Sequence, residues 1–175
     1  MTNKYRAGDS QVDKLIVLGL GLLGASICAA AKKLGLANEI IGISRRQSTI
    51  EIAHAKEIID KSSDSLATLA GNFGEDDLLV LAVPTLAMKS VLSECQEHVP
   101  PSVTITDVAS VKTKIIEFAE QVNGDIPKNF VPGHPIAGSE KSGINAANPD
   151  LFKNHKVVLT PVSYTHLRAH ETWSY

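Results

Sequence analysis

Apolar residues in this chain gather in short unbroken runs, and longer stretches between them repeat apolar positions three and four residues apart. The runs KLIVLG (14–19), EIIGIS (39–44), LLVLAVP (78–84) and VTITDV (103–108) are rich in β-branched residues and bounded by polar or turn-forming ones. This pattern predicts buried strands. LLGASICAAAKKLGL (22–36), STIEIAHAKE (48–57), TLAMKSVLSECQEH (85–98) and SVKTKIIEFAEQV (110–122) read as helices, the second opened by Ser48 or Thr49. A fifth strand is predicted over FVPG (130–133) and a sixth over KVVLT (156–160). Strands alternating with helices imply an α/β fold, a doubly wound and mostly parallel sheet covered on both faces.

Composition changes this picture little. A chain of 175 residues, 43% hydrophobic and 21% charged, can bury a full core, and a net charge of −2 provides no basic field for nucleic acid or an anionic membrane. Cys28 and Cys95 have neither metal-type spacing nor the density of a disulfide scaffold, so a reducing cytoplasm is expected. Residues 15–31 carry no charge and superficially suggest a signal or membrane segment. Their glycines argue otherwise.

Those glycines form Gly19-Leu20-Gly21-Leu22-Leu23-Gly24, a G-x-G-x-x-G between the first strand and the first helix. In that context Gly19 permits the tight turn, Gly21 admits a pyrophosphate to the backbone, and Gly24 allows the helix to lie close on the strand. Unpaired N–H groups at the helix start, from Leu22 and Leu23 onward, would then bind the anion. A dinucleotide is the expected ligand, although glycine clusters also serve ordinary turns. An NAD site usually ends its second strand with Asp or Glu, which binds the ribose 2′-hydroxyl. Here Ser44 ends that strand and Arg45 and Arg46 follow, a set suited to a 2′-phosphate, so NADP is expected over NAD. The bland alternative is two solvated arginines.

Ligands of such sheets bind outside the carboxyl ends of the strands. The segment VPGHPIAGSEKSG (131–143) follows the fifth strand there, and its glycines, prolines and polar residues predict an irregular loop. GLGLLGAS (19–26), TDVASVK (106–112) and GHPIAGSEKSG (133–143), in that order and spacing, resemble the prephenate and arogenate dehydrogenases of tyrosine biosynthesis. The last two motifs are much more specific than the first. The resemblance implies a Rossmann-type nucleotide-binding domain over 13–161 behind a polar lead at 1–12. It also implies that the family's helical second domain, which completes the substrate pocket and forms a homodimer, is absent here.

The resemblance further implies roles for individual residues. His134 would take the proton of the substrate's ring hydroxyl as hydride leaves for the nicotinamide, a task suited to a group that ordinarily titrates near neutrality. Ser110 would hydrogen-bond near that histidine, although a serine there also makes a good helix N-cap. Pro84 and Thr85 would close over the cofactor, and Ser139 and Glu140 would border the substrate, a small molecule. The implied reaction is oxidative decarboxylation of prephenate or arogenate. Two alternatives remain: an imine-type reductase sharing the first half of the chain, and a nucleotide-binding module without catalysis. Residues 162–175 break the apolar periodicity and read as a non-native or unstructured tail. His166 and His170 within it have helical metal-ligand spacing but no convincing third ligand, so no metal is expected.

Overall fold

A computed structural model describes residues 12–138 and 140–160. Strands β1 (Val12–Leu18), β2 (Ala37–Ile43), β3 (Lys61–Ser63), β4 (Leu78–Leu81), β5 (Thr104–Asp107) and β6 (Phe130–Val131) form one sheet in the order β3-β2-β1-β4-β5-β6, every pairing parallel. This is the doubly wound Rossmann-like order, which reverses direction between β1 and β4. Helices α1 (Leu22–Leu34), α2 (Gln47–Ala55), α3 (Thr85–His98) and α4 (Lys112–Asn123) cover it.

The period-2 geometry of a strand explains how continuous apolar runs serve two cores. Ile16 and Leu18 of β1 join Leu79, Leu81 and Ile105 against Met88 and Leu92 of α3 and Ile115 of α4. Leu15 and Val17 point the other way, with Ile40 and Val80, against Ala25 and Cys28 of α1 and Ile50 and Ala53 of α2. Small residues on α1 let that helix lie close to the sheet.

Four expectations need correction, and one strand had not been anticipated. Lys61–Ser63, a polar segment, forms edge strand β3, where side chains facing solvent need not be apolar. The run at 156–160 does not join the main sheet. Its β8 (Val157–Leu159) pairs antiparallel with β7 (Gly133–Pro135), so part of the supposed irregular histidine loop is itself a strand. Val157, Val158 and Leu159 remain exposed, because a two-stranded ribbon has no layer on its outer face. Helix α2 begins at Gln47 with Arg46 at the N-cap, ahead of Ser48 and Thr49; likewise Val111, not Ser110, is the N-cap of α4, and neither cap makes a side-chain hydrogen bond.

Candidate active site

The carboxyl ends of the strands open into a cleft of about 980 Å³. Residues 19–23, 44–46, 82–85, 108–110, 134–135 and 141–144 form its walls. Of the sequence-selected residues, Gly19, Gly21, Leu22, Leu23, Ser44, Arg45, Arg46, Pro84, Thr85, Ser110 and His134 all line this one space. Gly24 lies behind the wall. Glu140 is exposed and not part of the lining, and Ser139 falls outside the described residues, as does the tail beyond residue 160.

The glycine side is built by contact distances of the main chain. Gly19 has φ +101°, and a Cβ there would sit 2.4 Å from the Ala82 carbonyl oxygen. A Cβ on Gly24 would sit 2.0 Å from the Gly19 oxygen, so only glycine lets α1 begin this close to the loop. Gly21 differs: a Cβ there would meet nothing within 4 Å, because it would project into open space. Gly21 is the N-cap of α1, gives no side-chain cap, and no acidic residue occupies the first turn. The helix therefore presents its first N–H groups and positive dipole end without an anion of its own. That arrangement fits a pyrophosphate.

Beyond the loop, Ser44 Oγ accepts the Arg46 N–H at 3.2 Å, fixing the turn from which Arg45 and Arg46 project. Both arginines are exposed, and among the described residues neither forms an ion pair. Thr49, Asp64 and Ser65 also border this end of the cleft and were missed in the sequence; the last two follow edge strand β3, which has no apolar signature.

The histidine side is built around a buried carboxylate. Asp107, at the end of β5, is 1% exposed. Its Oδ1 accepts the Gly133 N–H at 3.1 Å, and its Oδ2 accepts the Ala109 N–H at 2.9 Å together with the Lys112 ammonium. Lys112 Nζ also donates to the Gly133 carbonyl. Burial pushes the Lys112 amine below its ordinary value, against the opposing pull of Asp107. Sequence reasoning missed this pair; the available signal was a charged residue closing an otherwise uncharged strand.

After β7 the chain turns back across the cleft. Ile144, 6% exposed, packs with the α1–α2 core, Asn148 N–H donates to Ser26 Oγ at 3.0 Å, and Asp150 pairs with Lys33 of α1 at 2.8 Å. These anchors bring Lys141, Ser142 and Gly143 into the lining. Ile144 was the overlooked signal, a large apolar residue in an otherwise polar loop. Cys28 and Cys95 are buried elsewhere, each thiol pushed up to about 12 by desolvation, and contribute no nucleophile.

Residues 27–172 match the family model described as prephenate dehydrogenase, nucleotide-binding domain. The chain belongs to the prephenate dehydrogenase family. Prephenate dehydrogenase of Lactococcus lactis subsp. cremoris is 38% identical over 151 residues, which span 86% of this chain and 41% of that protein. Among solved structures, the prephenate dehydrogenase of A. aeolicus in complex with hydroxyphenyl propionate and NAD+ superposes with a TM-score of 0.78 at 30% identity, covering 89% of this chain and 52% of its own. Arogenate dehydrogenase of Synechocystis gives 0.74 at 37% identity, covering 87% and 51%. The chain thus spans about half or less of the length of these relatives.

Proposed function

We propose that the protein is an NADP-dependent dehydrogenase of tyrosine biosynthesis, working in the cytoplasm on prephenate or arogenate. The observation that carries this reading is the placement of one histidine, His134, in the same cleft as a glycine loop whose helix start has no cap or acid of its own.

The residues divide the work. Gly21 leaves room for a pyrophosphate, the N–H groups that open α1 neutralise it, and Pro84 and Thr85, after β4, line the same cleft. Arg45 and Arg46 would hold the 2′-phosphate by charge-assisted hydrogen bonds, which a carboxylate at Ser44 would prevent. A nicotinamide held here would supply the acceptor for the hydride lost from the ring carbon that bears the hydroxyl. His134 takes the proton of the ring 4-hydroxyl as the carbonyl forms at that carbon, and Ser110 orients the hydroxyl. The bond to the ring carboxylate then breaks, its electron pair entering the ring, so that carbon dioxide leaves and a phenolate remains, which takes up a proton to become the aromatic phenol. Ser139 and Glu140 border the substrate in this reading.

The relatives carry roughly as much chain again as these residues represent. We therefore expect the 175 residues alone to bind nucleotide without turnover, since positioning can supply about 7–11 kcal/mol of barrier reduction and needs the pocket's opposite wall. Titration with NADP and NAD, then assay with prephenate and arogenate, tests both parts. NADP should bind several-fold more tightly than NAD, the gap closing with added salt and vanishing when Arg45 and Arg46 are both changed to alanine. Turnover should appear once residues 1–161 are joined to the helical domain of a relative. Equal affinity for the two cofactors would overturn the NADP assignment, and failure of the joined protein to oxidise either substrate would overturn the activity.

A further inference from the structure

The segment TDVASVK contains more chemistry than Ser110 explains. Asp107 and Lys112 are the charged residues of that segment, and both are withdrawn from solvent, with side-chain exposures of 0% and 15%. A pair so placed forgoes hydration that its mutual attraction only partly restores, and apolar replacements of buried ion pairs are often as stable or more so. Stability alone therefore gives a weak reason for it.

Its contacts give a better one. The Asp107 carboxylate and the Lys112 ammonium between them bind both main-chain polar groups of Gly133, the N–H and the carbonyl. Gly133 immediately precedes His134. The same carboxylate holds the N–H of Ala109, which immediately precedes Ser110. There is also no slack on this side of the glycine: a Cβ on Gly133 would come within 2.9 Å of the Asp107 carbonyl oxygen and 3.0 Å of Thr106 Oγ1. Thr106 Oγ1 in turn donates to the Val131 carbonyl at 2.7 Å, tying β5 to the approach of β7 a second time.

We propose that Asp107 and Lys112 are positioning residues for the dehydrogenase reaction, a buried ionic clamp that fixes the segments carrying Ser110 and His134 relative to each other. The proposal rests on the reading of His134 as the base. Neither side chain lines the cleft, so neither touches substrate, and the pair acts through the main chain on its two neighbours. An ion pair suits this task because one carboxylate accepts from two different segments while the ammonium bridges it to a carbonyl. A single apolar residue could fill the volume but could orient none of those groups.

The test compares Lys112→Met, Lys112→Arg, His134→Asn and the Lys112→Met/His134→Asn double variant in the whole protein. Turnover, NADPH affinity and hydrogen exchange at the Gly133 amide are measured for each. Lys112→Met should lower kcat by about 10²-fold, the cost of a misplacement near 1 Å, with NADPH affinity within twofold of the parent. Gly133 exchange should accelerate at least tenfold. Lys112→Arg, which keeps a charged donor, should recover most of both losses. In the His134→Asn background the Lys112 change should add almost nothing, because a residue acting through His134 has nothing left to position. Normal kcat or unchanged exchange in Lys112→Met, a full additional loss in the double variant, or loss of NADPH binding with kcat would each overturn the clamp. Near-normal turnover in His134→Asn would instead overturn the reading of the base, a separate outcome.

Discussion

On the glycine side of the cleft, position is set by hard contacts between main-chain atoms, with the Gly24 site 2.0 Å from the Gly19 oxygen and the Gly19 site 2.4 Å from that of Ala82. On the histidine side, position is set by charge, with Asp107 and Lys112 binding the polar groups of Gly133 and Ala109. The first kind of constraint restricts volume and ignores protonation. The second tolerates volume poorly satisfied elsewhere but fails when either charge is removed. A nucleotide backbone needs an empty, donor-lined space, which steric exclusion makes well. The two side chains proposed to act on the substrate, Ser110 in the loop after β5 and His134 in β7, need fixed directions, which hydrogen bonds make better.

The comparison predicts different consequences for small changes. The largest is Asp107→Asn, nearly equal in volume, which leaves Lys112 buried without its counter-charge. Removing one member of a buried pair costs about 3–5 kcal/mol, to be read from chemical denaturation of the 175-residue chain. An effect below about 1 kcal/mol would mean that charge does not hold this side.

Next comes a pair of alanines on the glycine side. Gly24→Ala forces a methyl group into the Gly19 carbonyl and should destabilise by about 1–3 kcal/mol or more. Gly21→Ala meets nothing and should cost under about 1 kcal/mol, yet weaken nucleotide binding at least tenfold, because its methyl group enters the nucleotide's space. Denaturation and NADPH titration of both variants check this, and the reverse order of stability would contradict the steric account.

The smallest effect lies at the surface, away from both sides. Asp60 is held below the usual carboxylate range chiefly by its bond with Lys32, and its Oδ2 also accepts the Ile40 N–H at 2.9 Å. A depressed folded-state value means that this stabilisation is complete above the unfolded value near 3.9 and is lost as pH falls through the folded one. Asp60→Asn should therefore cost less than about 1 kcal/mol at pH 7, with the difference disappearing in strong acid. A difference that persists there would place the effect in packing.

The two sides also differed in how well the sequence disclosed them. The glycine loop was legible because its requirement is local: spacing in six consecutive residues between a strand and a helix determines which positions lack room for a side chain. The apolar runs of β1, β2 and β4 were legible for the same reason, each ending in consecutive residues buried on both faces. The histidine side depends on residues 26 positions apart, Asp107 and Gly133, and nothing in the spacing of either announces the other. Apolar character misled at Val157–Leu159, where an exposed ribbon uses the β-branched residues of a strand without burying them. Polar character misled at Lys61–Ser63, where a sheet edge needs main-chain partners and little else.

The central claim is that one cleft joins a sterically built nucleotide site to a histidine that acts on the substrate proton. It is tested most directly by His134→Asn in the whole protein, with kcat and NADPH affinity measured side by side. Loss of a general base should lower kcat by about 10²- to 10⁴-fold. NADPH affinity should stay within twofold, since the glycine side owes nothing to His134. Near-normal turnover, or equal losses in turnover and cofactor affinity, would contradict it.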